Sequence, residues 1–227
     1  MLFGGMQKLT ALDFPGVVSA LLFTQGCNFH CPYCHNAQLI PMEQAGAAVS
    51  EEDVLAFLEK RAGLLDGVVI TGGEPCLQPD LEPFCHKIKN LGYKIKLDTN
   101  GSFPATVERL LAARLLDYAA VDVKTMPENY APLVTVAETA ATALAETFAL
   151  LAHYALPYEV RTTCVAPFVD EAAIRGMAAL VKPDVPWFFQ RATIEPSSAQ
   201  MRALPDDEIR CLLTGLAATH PLACLRG

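Results

Sequence analysis

Short apolar runs rich in β-branched residues alternate along the chain with longer stretches in which apolar positions recur every three or four residues. The first pattern suits a strand buried on both faces and the second a helix that buries one stripe. Their alternation predicts repeated βα units around a parallel sheet. Six runs read as strands, at residues 17–24, 67–71, 93–97, 119–123, 158–165 and 187–194. Helical periodicity covers 51–64, 80–91, 106–116, 136–153, 171–181 and 206–219. Ser50 followed by Asp53 is a short form of the capping box, and Gly92 is placed to end the second helix in a left-handed conformation. Residues 126–134, with Pro127, Asn129 and Pro132, read as a long loop. No Pro/Gly/Ser-rich linker divides the chain, so residues 1–227 are expected to form a single α/β domain, a partial TIM-like (βα)6 barrel.

The polar residues in this pattern are not scattered. Cys27, Gly72 to Glu74, Asp98 to Asn100, Asp122 with Lys124, and Gln190 with Arg191 fall at or just beyond the C-terminal ends of predicted strands. That is the rim on which parallel barrels build their sites. Composition then narrows the partners. With 52% hydrophobic and 19% charged residues the chain can bury a large core, and its net charge of −8 repels phosphate backbones and anionic lipid surfaces, so no nucleic acid is expected. The longest apolar stretch, near 139–156, carries Glu146 and His153 and falls short of a membrane span. The N-terminus MLFGGMQKLTALDFPG has no secretory signal architecture, which places the eight cysteines in a reducing, cytoplasmic compartment rather than in disulfides.

Cys27, Cys31 and Cys34 form Cys-x3-Cys-x2-Cys directly after the first predicted strand. Three thiols this close on a loop can clasp one metal centre, which would also lower their pKa and hold them as thiolates. Iron–sulfur clusters are usually held by four cysteines, so three leave one iron open, as a catalytic centre requires. The same string admits other uses. His30 or His35 could complete a zinc site. Cys31, Cys34 and His35 match a c-type haem attachment, and two of the cysteines could form a redox pair, but the last two leave Cys27 unexplained. Cys85, Cys164, Cys211 and Cys224 read as core or surface thiols. Cys76 follows the Gly-Gly-Glu-Pro turn on the rim, where as a fourth ligand it would block the open iron.

With Tyr33 immediately before the last cysteine, the string resembles the signature of the radical S-adenosylmethionine superfamily. The resemblance implies a 4Fe-4S cluster on Cys27, Cys31 and Cys34, and S-adenosyl-L-methionine chelating the fourth iron, with Tyr33 among the cofactor-binding residues. In Gly72-Gly73-Glu74-Pro75 the glycines let a ligand approach the backbone and Glu74 offers charge to an ammonium group. It resembles the superfamily element that binds the methionine amino group. Asp98-Thr99-Asn100-Gly101 and Asp122-Val123-Lys124 read alone as a turn and a rim ion pair. They also resemble strings of glycyl-radical-enzyme activases, which implies that they surround the cofactor carboxylate and a monovalent cation on Asp98 and Asp122. Arg161 interrupts an apolar strand and must pair inside, either with the cofactor carboxylate or with Glu159 or a neighbouring strand's aspartate.

Residues 7–16 and 24–36 resemble the activating proteins of anaerobic ribonucleoside-triphosphate reductase, with the likeness dense through residue 124 and thin after about residue 165. This implies reductive cleavage of S-adenosylmethionine to methionine and a 5′-deoxyadenosyl radical, which takes a Cα hydrogen from a glycine of a glycyl radical enzyme. It also implies a low-potential electron donor such as flavodoxin or ferredoxin. The chain has no Arg-Val-x-Gly-Tyr-like string, so it reads as the activator rather than the radical carrier. Two other readings keep the cluster: a radical enzyme acting on a small molecule or peptide, and a non-catalytic iron–sulfur electron-transfer module.

Overall fold

A computed structural model describes residues 1–43, 49–134, 137–193 and 201–226. Residue 136, the predicted start of the fourth helix, and residue 194, the predicted end of the last strand, lie outside the described residues. The described chain begins with an antiparallel pair, β1 (Phe3–Thr10) and β2 (Ser19–Thr24). It then alternates as α1 (Glu51–Glu59), β3 (Gly67–Gly72), α2 (Leu81–Asn90), β4 (Lys94–Thr99), α3 (Pro104–Ala112), β5 (Tyr118–Asp122), α4 (Ala137–His153), β6 (Tyr158–Ala166), α5 (Glu171–Ala178) and β7 (Trp187–Arg191). The short β8 (Arg202–Ala203), α6 (Asp206–Leu216) and β9 (Ala223–Arg226) follow.

The sheet order is β1-β2-β3-β4-β5-β6-β7-β9, parallel from β2 onward, with β8 antiparallel against the end of β6. The fold is thus a partial TIM-like α/β barrel, and among the described residues β9 does not pair with β1 or β2 to close it. All six predicted strands form, but β1 and β9 were not legible. In β1 the run FGGMQKLT carries two glycines and three exposed residues, so it shows no strand period. β9 is a four-residue strand that adds a seventh parallel member.

Capping residues mark the starts of α1 and α5, and every helix except α4, which ends at His153 as expected, ends earlier than its periodicity suggests. Ser50 Oγ accepts from Asp53 N at 3.0 Å and Asp170 Oδ1 from Ala173 N at 2.7 Å, each satisfying a free amide of the first turn. Gly92, at φ +89°, turns the chain after α2 in the left-handed region predicted for it. By contrast α1 stops at Glu59 rather than residue 64, because the chain turns through Gly63 and leaves Leu64 exposed.

The two faces of the sheet differ in kind. Ala20, Leu22, Val68, Ile70, Ile95, Leu97, Val121 and Val160 pack outward with the helices in one large core. The alternate residues point into the barrel, since successive side chains of a strand face opposite ways. There Leu21 and Val69 meet Phe14 and Val17 of the β1–β2 connection in a small apolar plug, with Phe23 and Tyr118 against it. Above the plug the inward positions of β4, β5 and β6 are charged. The outer core carries the stability. Phe84 is 1% exposed with its ring 5.1 Å from that of Phe3, so Phe84→Ala is expected to cost about 3–5 kcal/mol. Leu12→Ser, at an 89% exposed position, should shift stability by no more than about 0.5 kcal/mol. Urea midpoints at constant m-value check both.

Candidate functional site

A cavity of about 380 Å³ opens at the C-terminal ends of the parallel strands, within the range of small-ligand sites. Cys27, Cys31, Cys34 and Tyr33 line one wall, and Gly72, Gly73, Thr99 and Asn100 line the floor beside them. Asp98, Asp122, Lys124 and Arg161 face them, with Gln190 and Arg191 at the far side. Of the predicted site residues only Glu74 is missing from the lining.

The loop that carries the cysteines is held at both ends. Gly26 N donates to Leu39 O at 2.8 Å and Cys27 N to Ile40 O at 3.0 Å, so residues 27–39 form a closed excursion from β2. Gln25, buried behind it, donates to Gln38 O and Pro41 O, and Gln78 donates to Gln25 O. On the other side His30 N donates to Leu133 O at 2.8 Å, and the Phe29 ring packs edge-on against Tyr130, whose hydroxyl accepts from Lys124 N. These glutamines and Tyr130 were not singled out from sequence. Gln25 stands two residues before the cysteine string, and Tyr130 lies in the loop predicted at 126–134.

Glu74 corrects an expectation. Its side chain is completely buried and its carboxylate accepts from Cys76 N at 2.9 Å, Thr99 Oγ1 at 2.8 Å and Asn100 N at 2.7 Å. It ties the Gly-Gly turn to the end of β4 instead of reaching the cavity. Burial raises its pKa, and those donors partly offset the rise. Cys76 is likewise buried beside Glu74, behind the rim where the sequence placed it. Burial is the main cause that lifts its thiol pKa well above the ordinary range. What faces the cavity is the Gly72–Gly73 backbone. A side chain at Gly73 would put its Cβ 2.1 Å from Gly26 O, so this close approach to the cysteine loop requires glycine.

Opposite the cysteines lies a network of ion pairs. Arg161 pairs with aspartates of two neighbouring strands, its Nη1 2.9 Å from Asp98 Oδ2 and its Nε 2.8 Å from Asp122 Oδ1. Of the partners expected for Arg161, the neighbouring aspartates are the ones it meets here, and Glu159 is not. Lys124 Nζ lies 3.3 Å from Asp122 Oδ2. Beneath them Lys96, 1% exposed, lies 3.2 Å from Asp98 Oδ1 and 3.5 Å from Glu159 Oε1, and donates to Asp13 O at 2.5 Å. Arg226 closes the set with two 3.0 Å bonds to Glu159. Burial opposes ionisation of Asp122, but the Arg161 and Lys124 cations overcome it and hold its pKa at about 2. Lys124 is pushed well above its ordinary value: burial opposes its charge, and Asp122 more than restores it. The Arg161 guanidinium sits between the two carboxylates, Asp98 and Asp122, on which a monovalent cation is expected.

The donor set fits an iron–sulfur cluster better than a single ion. All eight cysteines are free. Among the described residues no three His, Cys, Asp or Glu side chains are placed to hold one metal ion. A cluster asks less of the geometry, because each thiolate binds a different iron. Burial pushes the Cys27 thiol up to about 12 against the Phe29 amide, and burial also raises Cys31 despite Lys124. Bound iron reverses that balance and holds the thiolates. The Tyr33 hydroxyl is buried without a hydrogen-bond partner, its ring 5.3 Å from Phe168.

Residues 21–178 match the Radical SAM superfamily, and the chain belongs to it. It is an enzyme of that superfamily. A protein of Methanocaldococcus jannaschii, named by inference a glycyl-radical enzyme activating enzyme, is 34% identical over 185 residues, 80% of this chain and 75% of that one. The 7-carboxy-7-deazaguanine synthase of a Synechocystis species is 37% identical over 81 residues, only 36% of this chain and 37% of that one. A radical SAM methyltransferase from Sphaerobacter thermophilus superposes with a TM-score of 0.72 at 15% identity, over 96% of this chain and 68% of that one, a likeness of fold. Among the described residues no helix is long and apolar enough to cross a membrane.

Two outcomes follow. Gly73→Ala is expected to force the cysteine loop away from β3 and lower the iron and sulfide bound per chain, with far-UV circular dichroism unchanged. Lys96→Met leaves Asp98 and Glu159 without their shared lysine and should destabilise the fold by about 3–5 kcal/mol, read from denaturant unfolding.

Proposed function

We propose that this protein activates a glycyl radical enzyme, with anaerobic ribonucleoside-triphosphate reductase as the partner. The observation that carries the reading is the breadth of similarity to the Methanocaldococcus protein, which runs through most of the barrel. The match to the deazaguanine synthase covers a little over a third of the chain. Cys27, Cys31 and Cys34 would hold a 4Fe-4S cluster. The Gly72–Gly73 backbone, Thr99 and Asn100 would seat S-adenosylmethionine, with Tyr33 beside it and Lys124 and Arg161 offering positive charge to its carboxylate. Asp98 and Asp122 would keep those cations in place.

When bound, the cluster and cofactor supply one-electron reductive cleavage to methionine and a 5′-deoxyadenosyl radical, which takes a glycine Cα hydrogen from the partner. The chain's own residues do the rest. The closed loop holds the thiols against the glycine floor, and Glu74 fixes that floor to β4. The barrel left open between β1 and β9 leaves room for a loop of another protein. A flavodoxin or ferredoxin would deliver the electron in a reducing, cytoplasmic compartment.

Anaerobic incubation of the reconstituted protein with reductant, S-adenosylmethionine and the reductase should give a glycine-centred doublet in electron paramagnetic resonance. Cofactor turnover that needs no such partner and gives no doublet would instead establish the reading of a radical enzyme acting on a small molecule or peptide. Reconstituted cluster with no cofactor cleavage would establish the electron-transfer reading. Cys31→Ala is expected to abolish cluster loading and cleavage while the barrel still folds, and Cys211→Ala, at an exposed position, should leave both near normal.

A further inference from the structure

We propose that Arg161 is the resident cation of this site and that Asp98 and Asp122 bind no monovalent metal ion. The proposal rests on reading the cavity as the S-adenosylmethionine site. Two carboxylates held close on adjacent strands repel, and a positive charge between them relieves the strain whether it is a metal ion or a guanidinium. Here the chain supplies it. The β5–β6 register sets Arg161 beside Asp122, and its side chain extends across β5 to Asp98 on β4.

Every oxygen of the pair faces a fixed cation, although Asp98 Oδ1 is buried without a hydrogen bond of its own. Asp98 Oδ2 and Asp122 Oδ1 are taken by Arg161 at 2.9 and 2.8 Å. Asp98 Oδ1 faces Lys96 at 3.2 Å, and Asp122 Oδ2 faces Lys124 at 3.3 Å. A hard cation could reach only the remaining lone pairs of these oxygens, and there it would lie against the charges of Lys96, Lys124 and Arg161. Arginine stays protonated at any physiological pH and cannot make room by titrating. The charge of the linked set points the same way. The cations Lys96, Lys124, Arg161 and Arg226 meet the carboxylates Asp98, Asp122 and Glu159, leaving a surplus positive charge. Such a set attracts an anion, and it can neutralise a ligand carboxylate directly, with no metal ion as a bridge.

The test measures sodium binding and cofactor affinity on the anaerobically reconstituted protein. In the wild type the 23Na resonance should show no saturable broadening that potassium displaces. S-adenosylmethionine affinity, by equilibrium dialysis at constant ionic strength, should stay within about twofold among sodium, potassium and tetramethylammonium buffers. Arg161→Ala opens the place between the aspartates. It should weaken cofactor binding about tenfold in tetramethylammonium, recover part of that loss with sodium or potassium, and acquire displaceable 23Na broadening. Displaceable broadening in the wild type, or an affinity that rises severalfold on adding sodium or potassium, overturns the proposal. The sodium measurement on the wild type needs neither cofactor nor variant. It decides the proposal even where Arg161→Ala does not fold or where cofactor binding fails, and the latter result would sink the functional reading alone.

Discussion

A charge placed inside a barrel of parallel strands must find its opposite within a few ångströms, because the alternative is a bare ion in a poorly solvating interior. This chain places several there. Lys96 and Asp98 point inward from β4, Asp122 from β5, Glu159 and Arg161 from β6, and Arg226 from β9, and each meets an opposite charge on another strand or a position two residues away. The pairing makes register obligatory. A slip of one residue in any of these strands would turn the charges into the apolar layer under the helices and bring that layer inside. Adjacent strands therefore arrive with their functional ends at one height, and the cavity forms where they stop.

The cysteine wall is positioned by a different device. It hangs on backbone hydrogen bonds at its two ends and on buried amides behind, and Glu74 clamps the neighbouring turn to β4. One side of the site is thus fixed by neutral hydrogen bonds and the other by ion pairs. The first tolerates the large change in local charge that accompanies iron and sulfide, because the loop's own anchors, main-chain groups and buried amides, do not titrate. The second sets a field that favours anionic groups of a ligand.

Much of this was legible in the sequence because strands and helices of a parallel fold advertise themselves locally. The six predicted strands form, Ser50 and Gly92 act as helix ends, and twelve of the thirteen predicted site residues line one cavity. The misses have physical causes. β1 and β9 are recruited by neighbours through main-chain bonds, and nothing in FGGMQKLT or ACLR announces a pairing partner. Glu74 looks like a ligand group because its string says nothing of Thr99 and Asn100, 25 and 26 residues away, which claim its oxygens. Lys96 was passed over within an apolar run, since only the folded sheet shows that it points inward to Asp98 and Glu159. Arg161 was visible as an anomaly, but which of its candidate partners it took depended on strand order.

The last described strand has a bearing on how the molecule is made. Arg226 lies over the Phe188 ring, 3.4 Å from its centroid, and gives Glu159 both of its guanidinium bonds. Until β9 has left the ribosome and paired with β7, Glu159 has Lys96, which it shares with Asp98, as its charged partner, with the Tyr118 hydroxyl 3.5 Å away. The half of the barrel that carries the cysteines is synthesised first, yet its interior reaches electrical completion last. The order of synthesis thus runs opposite to the order in which the site becomes whole, and a nascent chain gains its finished pocket only once β9 has been made and paired.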